Sequence, residues 1–254
     1  MLVSAADRRN EVARQALEEW DVVMAARTRN RTVGAAAGQD QQLRREAGPL
    51  TGKGQARKVA LLDAARRVFE EQGFIDARVS DIATEAGVAQ GTFYTYFDSK
   101  EAVFQAIAAR VADDMMLSVR PKRERSGRAY DRTRAAIESF VEVYRLNARM
   151  IALIEQVGTF TPELKEVRLQ VREAFVDEAA RGIRRLQTER EAEIELDPAL
   201  TAEVLGAMIE QICFVWMNLG KDFDEKELLH TLTTVWLRCA GQSAPDDSRH
   251  SLTS

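Results

Sequence analysis

Histidine and cysteine are nearly absent from this sequence, with two of each in 254 residues. Zinc sites need clusters of these side chains at short spacings, and general acid–base chemistry leans on histidine. His230 and His250 lie near the far carboxy end, away from any nucleophile with a matching base, and Cys213 and Cys239 sit inside apolar helical patterns. The sequence therefore argues against an enzyme, implies no metal and no cofactor, and marks both cysteines as buried, reduced thiols. Proline is scarce too, at five residues. Sustained apolar–polar alternation and Asn-Gly or Asp-Gly hairpin turns are missing, so the periodicities that remain are helical. No uncharged run approaches the ~20 residues of a membrane helix, and charges stand at the amino terminus where a signal peptide has its apolar core. The expectation is an all-α protein of the cytoplasm with no membrane partner.

What is present is a large apolar fraction, 45% of residues, enough for a substantial core in one large or two modest domains. The chain is organised around Val79 to Phe97, VSDIATEAGVAQGTFYTYF. Its first half opens with Ser80, whose hydroxyl can accept from a first-turn amide, and Asp81, favoured at the positive helix end. Gly87 stops that helix in a conformation suited to glycine, and a second helix is expected from Ala89 to Tyr96. With Ile82, Ala86, Val88 and Phe93 inward and the small Ala83 letting the backbones cross, this is helix-turn-helix geometry. The other face of the second helix carries Gln90, Thr92, Tyr94 and Thr95, donors, acceptors and flat apolar edges of the kind that read bases in a major groove.

With RKVALLDAARRVFEEQGF before it and DSKEAVFQAI after it, the stretch resembles the DNA-binding domain of the TetR family of transcriptional regulators. The likeness covers about residues 55 to 109 and rests on Phe69, Gly73, Ile82, Ala83, Gly87, Val88, Gly91, Tyr94, Phe97 and Lys100. It implies a two-domain helical protein: a three-helix DNA-binding domain over 55–100, then a helical ligand-binding and dimerisation domain over 101–240. It also implies DNA contacts by Ser80, Gln90, Gly91, Thr92, Tyr94 and Thr95, with Tyr96 and Lys100 meeting phosphates.

The charge distribution allows this. Net charge is −4, but residues 51–100 carry seven basic against seven acidic side chains, and the acid excess, 26 against 21, lies in 101–254. A neutral segment can hold DNA through a few placed cations and helix-start amides, with modest nonspecific affinity.

Residues 1–54 form an extension. Val12, Ala16, Leu17, Trp20, Val23 and Met24 share a stripe within 1–30, and Thr28 to Gly54 reads as a flexible linker. A basic arm, a helix packed on the body and a weakly structured leader are all compatible with it. A first helix is expected over 55–72 with Leu61, Leu62, Ala65, Val68 and Phe69 inward, capped by Gly73, and Phe74 and Val79 completing the small core. Asp98 or Ser99 begins the next helix, which runs towards Pro121, and Asp98 with Glu101 has capping-box spacing. After a charged loop at 121–128 come helices near 129–146 and 148–157, then a long one near 162–187 whose outer face is a solvated run of Arg and Glu. The last two, near 198–219 and 224–239, are apolar over so wide an arc that two sides must be buried. The tail, 241–254, is polar and expected to be disordered.

The resemblance implies that these last two helices pair with a second copy through Val204, Met208, Ile212, Val215, Leu228, Leu232, Val235 and Trp236, giving a homodimer. Tyr144, Met150, Ile154, Phe160, Phe175, Met208 and Trp216 are the candidate effector contacts, and the few polar residues on the inner stripes favour an apolar effector. The whole reads as a repressor that binds a palindromic operator as a dimer and is released by effector. The alternative is an architectural DNA-binding protein that needs no ligand.

Overall fold

The computed structural model describes residues 52–119, 128–159, 161–189 and 196–241. The expectations for the extension before residue 52, the loop at 121–127 and the tail beyond 241 lie outside the described residues. These fold as eight helices: α1 (Gly52–Asp76), α2 (Val79–Glu85), α3 (Gln90–Tyr96), α4 (Lys100–Val119), α5 (Ala129–Gly158), α6 (Pro162–Glu189), α7 (Pro198–Met217) and α8 (Glu225–Cys239). Among the described residues there is no strand. The described residues from Lys58 onward form one compact unit, and the packing below lies within it.

The amino-terminal helices close around aromatic rings. Phe69, Phe74 and Phe104 meet with centroids 4.8 to 5.7 Å apart, and Phe93 packs on Phe97 at 5.8 Å. Ile82 and Phe93 are fully buried, while Val79, Ala86 and Val88 pack against the same core. Burying each of these rings contributes about 1.5–3 kcal/mol, which is how two seven-residue helices, too short to persist alone, are held in place.

Glycine sets both corners. Gly73 (φ 80°) breaks α1 before its last turn, and Gly87 (φ 64°) turns α2 into α3. α1 begins at Gly52, so the expected linker does not extend to Gly54.

One expected cap is replaced and one is met. Arg78 occupies the N-cap position of α2 and its amide donates to the Asp81 carboxylate at 3.3 Å, while Ser80 sits inside the helix with its hydroxyl on Asp81. α4 is capped by Ser99, one of its two expected starts, whose hydroxyl accepts from the Ala102 amide at 3.1 Å. At α2 it is Asp81, one place beyond Ser80, that reaches the free amide.

The carboxy-terminal helices build on α5, a single helix of 30 residues where two were expected. No glycine or proline interrupts it at Asn147, and that side chain bonds back to the Val143 carbonyl at 2.9 Å, within the helix. α4 and α8 pack on α5, and α6 packs on α7. One core runs from Leu61 through α4 and α5 to Leu232, and a second joins Ile183, Leu205 and Leu237; Met208 and Trp236 touch both. The two expected domains thus share a continuous interior.

Neither Gly87 nor Gly91 has an atom within 4 Å of where a Cβ would stand, so only backbone conformation separates them. Gly87→Ala should lose about 1 kcal/mol of unfolding free energy, because an L-residue resists the left-handed region, whereas Gly91→Ala, inside α3, should be neutral or slightly stabilising. Denaturant unfolding of both variants tests this, and equal shifts would contradict it.

Candidate nucleic-acid interface and effector cavity

α3 exposes one hydrogen-bonding face. Gln90, Gly91 and Thr95 are exposed, as is Tyr94 at 51%, whose ring is braced edge-on against the buried Phe93 at 5.4 Å. The spacing i, i+1, i+4, i+5 keeps these four on one side of the helix. Thr95 donates to the Gly91 carbonyl of its own helix at 3.2 Å, leaving its lone pairs outward. Thr92 and Tyr96 are half-buried, and Ser80 is exposed on α2. Ala89 precedes α3 and offers no side-chain acceptor, so the first amides of α3 receive no cap at this same face.

Lys100 is placed differently from the phosphate contact expected of it. Its ammonium donates to the carbonyls of Phe74 (2.8 Å), Ile75 (3.0 Å) and Ala77 (3.0 Å) and stands 4.7 Å from the centre of the Phe74 ring. An ammonium has three donors, and all three are engaged. Lys100 therefore caps the broken end of α1 and ties it to the start of α4. Arg67 is likewise paired, with Glu85 at 2.6 Å, which braces α1 against α2.

A second polar joint was not anticipated from sequence. Arg66 donates from Nη1 to Asn147 Oδ1 at 2.9 Å, from Nη2 to the Leu146 carbonyl at 3.1 Å, and from Nε to Glu70 at 2.8 Å. It links the first helix of the DNA-binding segment to the middle of α5. Asn147 is 4% exposed, so both ends of its amide are satisfied inside the protein.

Behind that joint lies a cavity of about 310 Å³ between α4, α5, α6 and α7. Tyr144, Ile154 and Phe175, expected as effector contacts, line it together with Val111, Met115, Phe140, Ile209 and Trp236. Met150, Met208 and Trp216 do not: Met150 is fully buried in the core, Met208 bridges the two cores, and Trp216 lies under the Arg145 guanidinium at 5.1 Å. Phe160 is outside the described residues.

The cavity is also more polar than expected. Glu155, Arg168, Arg172, Glu203 and Glu210 line it, with Arg168 on Glu155 and Arg172 on Glu203 (2.5 Å) and Glu210 (3.0 Å). The outer face of α6, expected to be solvated, thus reaches α5 and α7. The i, i+4 pair Arg168/Arg172 and the i, i+7 pair Glu203/Glu210 were the available signals. Burial pushes the Glu155 carboxyl above the usual carboxylate range; Arg168 opposes this and Glu210 adds to it. Burial also pushes the Tyr144 hydroxyl well above its ordinary value, reinforced by Cys213, Glu210 and Glu155, and lifts the free thiol of Cys213 to about 12.

Among the residues assigned to a dimer face, Leu232 is 3% exposed in the core of the protomer, where its side chain packs within its own chain. Val204 is 61% exposed, Ile212 and Val215 are half-exposed, and Leu228, Val235 and Trp236 pack in part on the two cores. Among the described residues no group of histidine, cysteine and carboxylate side chains could hold a metal.

Residues 61–107, covering α2, α3, most of α1 and the first part of α4, match the family model for bacterial regulatory proteins of the tetR family. The chain is 31% identical over 183 residues to the HTH-type transcriptional regulator YdgC of Bacillus subtilis, covering 67% of this chain and 86% of that protein. This protein belongs to the TetR family of transcriptional regulators. It is also 26% identical over 187 residues to the HTH-type transcriptional regulator EthR of Mycobacterium tuberculosis, across 72% of this chain and 87% of the relative. A solved TetR-like transcriptional regulator from Rhodococcus sp. RHA1 shares the fold with a TM-score of 0.57 at 20% identity, over 72% of this chain and 94% of that one.

If Lys100 holds the end of α1, Lys100→Met should lower stability by about 1–3 kcal/mol, the range for charged hydrogen bonds. A phosphate contact would instead leave stability unchanged and reduce the salt slope of DNA binding by about one. Thermal unfolding beside a salt titration of DNA affinity distinguishes the two.

Proposed function

We propose that this TetR-family protein is a ligand-responsive repressor: a homodimer that sets one α3 in each half of an inverted-repeat operator and leaves DNA when a small, apolar-bodied effector enters the cavity. The observation that carries this reading is the double role of α4. Val103 and Phe104 pack beneath the helix-turn-helix, while Ala108, Val111, Ala112 and Met115 line the cavity. An effector can relieve repression only by favouring a conformation in which the two α3 helices no longer match successive grooves, and its largest effect equals its differential affinity for the two states. Any ligand that displaces α4 acts on that match directly.

The dimer is supported by α7. This helix is apolar enough in length and composition to cross a membrane, yet only 28% of its most apolar window is buried in the protomer, and Leu200 and Val204 stay 65% and 61% exposed. In a DNA-binding family, a second copy covers such a face more plausibly than lipid. Two-fold pairing also supplies two recognition helices, which need half-sites about one helical turn, ~34–36 Å, apart. Such a protein works in the cytoplasm beside its operator. The engagement of Lys100 and Arg67 within the fold disfavours the architectural alternative, because nonspecific binding depends on cations available to phosphates.

Selection of random duplex DNA by the purified protein at physiological salt should enrich an inverted repeat. Tyr94→Ala should then lose about 1–3 kcal/mol of discrimination between that repeat and random DNA, the usual value of a base contact. A bound pool without a repeat, or equal losses on both DNAs, would defeat the reading.

The Arg66 to Asn147 joint is the second route from cavity to DNA, since Asn147 lies one helical turn beyond Tyr144 on α5. Arg66→Met should raise amide exchange across α2 and α3 while leaving α6 and α7 protected. Unchanged exchange in α2 and α3 would remove the joint from the mechanism.

A further inference from the structure

The Tyr144 hydroxyl stands at the cavity wall without a hydrogen-bond partner among the described residues, on a side chain that is 1% exposed. A buried phenol ordinarily finds a partner, because an unpaired donor loses its hydration without compensation. The groups around it define what that partner can be. The Glu210 and Glu155 carboxylates, which line the same cavity, lie close enough to oppose any negative charge at the hydroxyl. The nearby guanidiniums are engaged: Arg168 on Glu155, and Arg172 on both Glu203 and Glu210. At this end of the cavity two cations thus face three carboxylates; Arg132, about 18 Å from Tyr144 along α5, and Arg185 with Glu178 on α6 line the remainder. Arg185, the cation farther along α6, is about 25 Å from Arg168 at 1.5 Å per residue.

The rest of the lining sets the body of the ligand. It follows α5 from Arg132 to Glu155, about 34 Å of helix, between the rings of Phe140, Phe175 and Trp236 and the aliphatic side chains of α4. A long, narrow apolar space suits a chain or a string of rings more than a compact polar solute.

Building on the reading of this cavity as the effector site, we infer that it takes an uncharged amphiphile: an elongated apolar body carrying a neutral oxygen acceptor, such as a ketone, ester or amide carbonyl, that accepts a hydrogen bond from the Tyr144 hydroxyl. A free carboxylate at the Tyr144 hydroxyl is disfavoured by Glu155 and Glu210, with Glu203 beyond them. Cationic heads are disfavoured because those carboxylates already hold Arg168 and Arg172, and because a cation offers the Tyr144 hydroxyl no acceptor.

The test compares three probes of one chain length, decan-2-one, decanoate and decylammonium, by calorimetric titration of the full-length protein at neutral pH, with tryptophan emission as a second readout because Trp236 lines the cavity. Decan-2-one should bind most tightly. Tyr144→Phe, which keeps the ring, should weaken it roughly three- to tenfold, the worth of one neutral hydrogen bond, while leaving the other two probes unchanged. The same variant should match or exceed the parent in thermal stability, since the deleted hydroxyl bonds to no described residue. Tighter binding of decanoate or decylammonium overturns the inference, as does an unchanged affinity of Tyr144→Phe for the ketone. If none of the three binds, the cavity is not an effector site for amphiphiles and the reading beneath the inference fails with it.

Discussion

Helix α4 is buried at both ends, and the rest of the molecule is built on that constraint. Val103, Phe104 and Ile107 complete the aromatic core that holds α1, α2 and α3, and Val111, Ala112 and Met115 are buried further along. A close-packed interior transmits displacement because side chains cannot absorb it in voids. A helix that is the floor of one site and the wall of another therefore cannot shift at one end alone. The helix-turn-helix and the cavity are thus built on one shared core.

Polar side chains at the joints keep the shared helices in register. Lys100 and Arg66 are cations that a count of residues would assign to DNA, yet both close gaps in the fold: one collects the carbonyls freed where Gly73 breaks α1, and the other satisfies a buried asparagine in α5. Partly buried bonds of this kind are stronger and less screened than exposed ion pairs. The exposed face of α3 is uncharged, formed by Gln90, Gly91, Tyr94 and Thr95. An uncharged face gains little from nonspecific attraction to phosphates.

The cavity follows the opposite rule. Its ion pairs connect α5 to α6 and α6 to α7 across a space otherwise lined by apolar side chains.

The sequence by itself determined the helical class, the helix-turn-helix and its inward residues, because those depend on local rules: the period of apolar side chains, the left-handed turn that Gly87 permits, and the reach of a few inward rings. It also located Tyr144, Ile154 and Phe175, since large side chains on an inward stripe are the ones able to line a space. Tertiary structure alone decided the rest. Helix continuity through Asn147 depended on bonds to Val143 and Arg66, the latter 81 positions away. The role of Lys100 depended on carbonyls 23 to 26 residues earlier. Leu232 looked like an interface residue because burial against one's own chain and burial against a partner leave the same apolar signature in sequence. Which Arg and Glu of α5, α6 and α7 face each other, and hence the polarity of the cavity, was fixed only when three helices distant in sequence were packed side by side.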